Sequence, residues 1–229
     1  MRHGTKWSSV QKEAILNTLL DCKNDPERYR NAMYQLGRAL GGDIANAFSS
    51  ARSDIYVACT VEDADFLAKG ILDVLEDTRS FKAIHFACFW NERKQLGQFE
   101  IAPILKKYKE PSSAEYQTLV IVKSIISGAC VVKTNLTSMI SELQPTNILV
   151  VAPVILEGAE MRLKREFPEA ISDKFEFVTY AVDDEKLDDN VVPGIGGNVY
   201  ELLGYGGEAD KNAYIPEIVR SRRARFAAT

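Results

Sequence analysis

The sequence is short of the residues on which much enzyme chemistry relies. Only two histidines occur, His3 and His85. One lies near the terminus and the other inside the apolar run AIHFACF, which leaves little to build a histidine-rich metal centre or a Ser-His-Asp triad. No G-x-S-x-G elbow occurs either. The four cysteines, Cys22, Cys59, Cys88 and Cys130, are widely spaced and form no CxxC pair, which argues against a zinc knuckle. Three of them sit in or beside apolar strand-like runs and read as buried free thiols. No apolar run approaches the roughly 20 residues of a membrane span. The segment MRHGTKWSSV lacks an apolar signal core, so a cytoplasmic protein is expected. A net charge of −4 over 229 residues does not suit a molecule built to coat nucleic acid.

What is present is a period that changes along the chain. SVQKEAILNTLLDC, residues 9–22, repeats apolar residues at helical spacing. Pro26, after Asn24-Asp25, restarts a helix predicted over 26–48, with Gly41-Gly42 as a place where it would bend or break. From residue 54 strands and helices alternate. DIYVACT, KAIHFACFW, TLVIVKSII, NILVVAPVI and FEFVTYAVD read as strands, and VEDADFLAKGILDVLED, VVKTNLTSMISEL and GAEMRLKREFPEA as helices. Such alternation predicts an α/β fold with a twisted parallel sheet wound with helices. Sheets of this kind take ligands at the carboxyl ends of their strands. The loops to inspect are therefore 59–65, 89–99, 123–131, 152–158 and 181–199. The expected division is an N-terminal helical segment over 1–50, an α/β domain with a small hood over 51–207, and a basic tail over 208–229.

In VIVKSIISGACVVKT, residues 120–134, a β-branched run meets a turn of small residues before a helix. That is the order of elements in a phosphate cradle. Downstream, DNVVPGIGGNVYELLG follows FEFVTYAVDDEKLDD. This order resembles the C-terminal region of uracil phosphoribosyltransferases, where an acid-ended strand leads to a V-P-G-[LI]-G-D turn. YRNAMYQLGRALGGDIA, IYVACTVEDADFLAKGILDVL, AIHFACFWNERKQLG and NILVVAPVILEGAEMRLKREFP resemble the family's preceding elements in the same order, from about Tyr29 to Gly204. The resemblance implies a type I phosphoribosyltransferase fold. Its members bind phosphoribosyl pyrophosphate with magnesium and transfer ribosyl phosphate to a base nitrogen, chiefly by positioning and charge stabilisation.

The resemblance also assigns residues. Ser127, Gly128, Ala129 and Cys130 take the place of the T-G-G-T turn that wraps the 5′-phosphate. Val122 takes the place of the acid that holds the ribose hydroxyls, beside the opposite charge of Lys123. Where the family has a pyrophosphate-binding arginine, this chain has TVEDAD, with Glu62, Asp63 and Asp65. These acids are expected to cap the following helix, magnesium ligation being the other reading. Trp90 falls at the second strand-end arginine, with Arg93 and Lys94 as the residues that would substitute. The base side is better kept. Val192, Pro193, Gly194, Ile195 and Gly196 match the turn whose backbone pairs with a pyrimidine edge, although Gly197 replaces the aspartate that follows.

A charge-assisted hydrogen bond contributes about 1.5–3 kcal/mol. Losing these contacts predicts transfer slowed by on the order of a thousandfold or more. The leading expectation is a catalytically degenerate protein acting as a nucleotide-binding or assembly subunit, with protein partners or as a homo-oligomer. Its cofactor is unassigned. Magnesium and phosphoribosyl pyrophosphate enter only if the ancestral activity survives, as in an active divergent transferase with Glu62, Asp63 and Asp183 regrouped around the metal. A third reading is a nucleic-acid-associated subunit using Arg220, Arg222, Arg223 and Arg225.

Overall fold

The computed structural model describes residues 1–50, 53–97, 99–112, 117–187 and 190–227. Of the loops singled out above, Gln98 and residues 188–189 lie outside the described residues, as does the end of the expected tail. Strand β1 (Arg2–Gly4) leads into helices α1 (Val10–Asp21) and α2 (Pro26–Phe48). Ser9 caps α1, and Asp25 caps α2 by accepting from the Arg28 amide at 3.1 Å. Pro26 sits in the first turn, where its missing N–H costs nothing.

Strand β2 (Asp54–Thr60) then runs into a helix that opens as α3 (Val61–Asp63), passes through a π turn over Ala64–Ala68 and continues as α4 (Lys69–Thr78). Strand β3 (Ile84–Asn91) is followed by a hairpin arm, β4 (Lys94–Leu96) with β5 (Phe99–Ile101), and by β6 (Ile104–Lys109). Next come β7 (Gln117–Val122), β8 (Ile125–Ile126), α5 (Cys130–Leu143), β9 (Asn147–Leu156), α6 (Ala159–Arg165) and α7 (Glu169–Ser172). Strand β10 (Phe175–Asp183) precedes the hood hairpin of β11 (Glu185–Leu187) and β12 (Asn190–Val192). Helices α8 (Val199–Leu202), α9 (Glu208–Ala213) and α10 (Glu217–Ala227) complete the described chain.

The main sheet has the order β1-β10-β9-β7-β2-β3-β6. Its five central strands are parallel, while β1 and β6 run antiparallel at the two edges. This is the α/β architecture expected from the alternating pattern. Side chains of β2 alternate between two cores. Ile55, Val57 and Cys59 pack with α1, α2 and α4, whereas Tyr56 and Ala58 face the cluster beneath α5 and α6. Burial on both faces explains why the strands read as continuous apolar runs. The strand order reverses direction between β2 and β7, and the crevice at such a reversal is where open α/β sheets bind ligands.

Gly41-Gly42 does not interrupt α2. Gly37 and Gly41 on this helix instead permit close packing. A Cβ on Gly37 would lie 2.1 Å from the Leu67 carbonyl oxygen, and one on Gly70 would lie 2.3 Å from that of Tyr34. Two helix backbones thus touch almost directly.

The segment expected as a basic tail is helical over Glu208–Ala213 and Glu217–Ala227. One face of it packs on the fold, while Arg220, Arg223 and Arg225 are exposed. Arg222 is buried, its guanidinium bonded to Glu110 at 3.0 and 3.1 Å and to Glu76. Arg223 lies over the Tyr108 ring, 5.5 Å from its centroid.

Candidate functional site

The loop after β2 and the loop after β7 meet at the reversal of strand order. Both carry charge, and of opposite sign. The Lys123 ammonium donates to Thr60 Oγ1, Glu62 Oε1 and Asp63 Oδ2, each at 2.7 Å. Asp63 also accepts from the Thr60 hydroxyl at 2.8 Å and from the Ser124 amide at 3.0 Å. All four side chains are buried. Burial opposes the charge on Lys123, but Asp63 and Glu62 outweigh it and push its pKa up. Burial likewise opposes the charge on Glu62, yet Lys123 and then Lys211 hold its carboxyl down at about 2.

The loop acids therefore do not cap the helix they begin. Among the described side chains none caps α3. Asp65 instead caps a distant helix, α10, accepting from the Glu217 and Ile218 amides at 2.9 Å, with the Tyr214 hydroxyl as a further donor. Asp65→Ala is expected to cost about 1–2 kcal/mol of stability through the lost cap. A fall in the urea midpoint with the slope unchanged would register it.

Magnesium does not fit these residues. Glu62 and Asp63 are committed to Lys123. Asp183, the third expected ligand, is bonded to Arg2 at 2.7 and 2.8 Å and to the Gly194 amide at 2.9 Å. Among the described residues no group of three His, Cys, Asp or Glu side chains is placed to hold a metal ion.

Beside the cluster lies a cavity of about 350 Å³ lined by Arg93, Lys94, Lys123, Lys186, Ser127, Gly128 and Cys130, with other residues of the α5 start. The expected phosphate turn is thus on the wall, apart from Ala129. Ala129 is the N-cap of α5 and gives the helix no side-chain cap bond. Cys130, Val131 and Val132, the first residues of this 14-residue helix at the positive end of its dipole, line the cavity. A Cβ on Gly128 would meet nothing within 4 Å. Arg93, three residues beyond the expected strand-end position, reaches this wall. Trp90 does not. It is buried and donates to the Tyr214 carbonyl at 2.8 Å.

A second cavity, about 210 Å³, shares Arg93, Ile125 and Ser127 with the first and continues to Ile195, Gly197, Asn198 and Tyr200. Here the two expected half-sites meet. The VPGIG turn contains a cis Val192-Pro193 bond, and Gly194 and Gly196 have φ of +56° and +98°, a region that favours glycine. Much of its backbone is already engaged. The Gly194 amide bonds Asp183, its carbonyl accepts from Arg2, and the Ile195 carbonyl accepts from the Tyr29 hydroxyl at 2.9 Å. The Gly196 amide bonds the Pro193 carbonyl at 3.2 Å. Val192, Pro193, Gly194 and Gly196 are not among the residues lining this cavity, whereas Ile195 and the neighbouring Gly197 are. Tyr200 faces it as well, with its hydroxyl pKa raised to about 12 by burial and then by the Glu62 charge.

Lys186, Tyr200 and Arg2 escaped the motif-based assignment. They lie on the hood hairpin, a short helix and a three-residue edge strand, none of which carries a periodic signal.

Comparison with solved structures extends the fold, not the chemistry. The AQ2163 protein from Aquifex aeolicus matches over 87% of this chain and 97% of its own, with a TM-score of 0.65 and 15% identity. The likeness is one of fold. The hypoxanthine-guanine phosphoribosyl transferase of L. donovani matches over 77% of this chain and 81% of its own, with a TM-score of 0.43 and 11% identity. A hypoxanthine phosphoribosyltransferase from Staphylococcus aureus matches over 76% of each chain, at a TM-score of 0.40 and 14% identity. No family model and no curated protein matches the sequence. No helix among the described residues is long and apolar enough to cross a membrane.

Proposed function

We propose that the chain is a phosphoribosyltransferase-like protein that binds a phosphorylated, nucleotide-type ligand without transferring ribosyl phosphate, serving as a nucleotide-binding subunit. One observation carries the reading. The cavity at the start of α5 combines three cationic side chains, Arg93, Lys94 and Lys186, with the small-residue turn Ser127-Gly128. Backbone amides at a helix N-terminus and flanking cations are the ordinary means of holding a phosphate. The adjoining cavity, walled by Ile195 and Tyr200, offers an apolar and aromatic surface for a base.

Loss of transfer follows from the commitments of the charged groups. An ammonium has three donors, and those of Lys123 are all taken by protein oxygens, so none remains for a pyrophosphate leaving group. Glu62 and Asp63 make the same loop acidic, which disfavours that anion further. A nucleic-acid role for the arginine segment would have to rest on the exposed Arg220, Arg223 and Arg225, because Arg222 is spent on Glu110 and Glu76.

Calorimetry with ribose 5-phosphate and with nucleoside 5′-monophosphates tests the reading. Binding is expected for the wild type. Gly128→Asp places a carboxylate in open space at the turn and is expected to weaken binding at least about tenfold while the melting temperature holds. Equal binding by the variant, or pyrophosphate release from phosphoribosyl pyrophosphate at ordinary enzyme rates, would overturn it.

A further inference from the structure

The oxygen cluster at the end of β2 has the composition of a hard-cation site with a lysine in its centre. Thr60 Oγ1, Glu62 Oε1 and Asp63 Oδ2 surround the Lys123 ammonium at 2.7 Å each. These are hydroxyl and carboxylate donors, the kind that suits Mg²⁺, Ca²⁺ or Mn²⁺. Metal–oxygen distances in such sites run from about 2.0 to 2.6 Å, so the shell is a few tenths of an ångström wider than a metal requires. Donor capacity is also left over. Glu62 Oε2 and Ser124 Oγ are buried and, among the described residues, have no hydrogen-bond partner. Glu62 is 6% exposed and Ser124 1%, so bulk water does not satisfy them.

We propose that Lys123 is a tethered replacement for a divalent cation. Its ammonium offsets one of the two carboxylate charges from a fixed point on the neighbouring strand, and the adjoining anion cavity works without metal. The inference rests in part on the proposed function, since it makes phosphate binding metal-independent. Its structural half does not. A bound ion exchanges with solvent and is removed by chelators, whereas a lysine side chain can be neither exchanged nor chelated. The cluster keeps this counter-charge at every metal concentration.

Truncating the lysine should reopen the site. Lys123→Ala leaves the oxygens and a space the size of the lost side chain. Lys123→Met removes the charge but fills the space. Mn²⁺ is the probe, followed by thermal unfolding and by electron paramagnetic resonance of the bound ion. Mn²⁺ well above its dissociation constant is expected to raise the melting temperature of Lys123→Ala by several degrees, and to leave the wild type and Lys123→Met unmoved. If Lys123→Ala is unfolded in chelator, recovery of the fold with Mn²⁺ is the same result. The proposal is overturned if Mn²⁺ shifts the wild type equally, if it has no effect on Lys123→Ala, or if that variant fails to fold with and without the ion.

The anion arm is separate. Wild-type affinity for inorganic phosphate is expected to change less than about twofold between chelator and millimolar Mg²⁺. A larger gain with Mg²⁺ contradicts metal independence. Absence of any phosphate binding sinks the nucleotide reading alone, because the Mn²⁺ readout needs no anion.

Discussion

Gly37→Ala is expected to destabilise the protein by about 2–4 kcal/mol. Alanine has the higher helix propensity, and at an open helical site the change would gain roughly 1 kcal/mol. Gly37 is not open. Its added Cβ would sit 2.1 Å from the Leu67 carbonyl oxygen, 3.0 Å from the carbonyl carbon and 3.1 Å from Gly70 Cα. All three are backbone atoms, so no rotamer change relieves the overlap and the two helices must separate. Separation loosens a long interface, because α2 buries Tyr29, Met33, Leu36, Leu40 and Ile44 in the same core as Leu67, Ile71 and Leu75. Gly42→Ala supplies the control. A Cβ there meets nothing within 4 Å, so the propensity gain of about 0.5–1 kcal/mol should remain. Urea unfolding of both variants is expected to move the midpoint in opposite directions on one helix. A neutral Gly37→Ala would mean that the helices slide apart at little cost.

Lys123→Met should cost about 3–5 kcal/mol at neutral pH, because it leaves two buried carboxylates with their principal counter-charge removed. The pH dependence separates this from a packing defect. In the wild type the Glu62 carboxyl is held down at about 2, below its ordinary 4.5. Its contribution is therefore fully present above about 4.5 and is lost as pH falls toward 2. Lys123 has a raised pKa, so its contribution is present below the ordinary 10.5 and is lost only as pH rises through the still higher folded value. Between these limits neither group makes stability vary with pH, whereas the Asp63 carboxyl, pushed up by burial, loses some stability as pH rises from its ordinary 3.8. Without the ammonium the sign for Glu62 changes and the effect of Asp63 grows. Burial then raises the carboxyl pKa values above those of the unfolded chain, the folded state holds protons longer, and stability falls as pH rises from about 4 toward 7. Denaturation at several pH values should show the variant's deficit growing across that window. A deficit constant in pH would assign Lys123 a packing role only.

The sequence made some of this legible, and the reasons differ by element. Helix 26–48 could be read to its ends because Asp25 and Pro26 form a start signal and the apolar spacing is sustained. The parallel strands were readable because burial on both faces leaves unbroken β-branched runs. Strand β1 was hidden because three residues are too few for a period, and β6 because ILKKYK carries lysines suited to an edge. The arginine-rich segment read as a tail since its partners, Glu76 and Glu110, lie more than a hundred positions away. Within the site, the acids of TVEDAD and the lysine of VIVKS were each noticed separately. Pairing them required knowing that β2 and β7 are neighbours. That fact belongs to the strand order, which no local spacing encodes.

Strand β1 has one more consequence. It covers the carboxyl end of the outer edge of β10, Ala181–Asp183, in a strand whose sequence FEFVTYAVD is rich in aromatic and β-branched residues and carries few charges. Left uncovered, that edge would present a row of unpaired amides and carbonyls to the next molecule, the arrangement from which sheets grow between chains. The opposite edge protects itself with Lys106, Lys107 and Lys109. The Arg2–Asp183 ion pair, which spans 181 positions, therefore does more than steady the hood turn. It holds in place the strip of chain that occupies the backbone groups of Ala181–Asp183 on that edge.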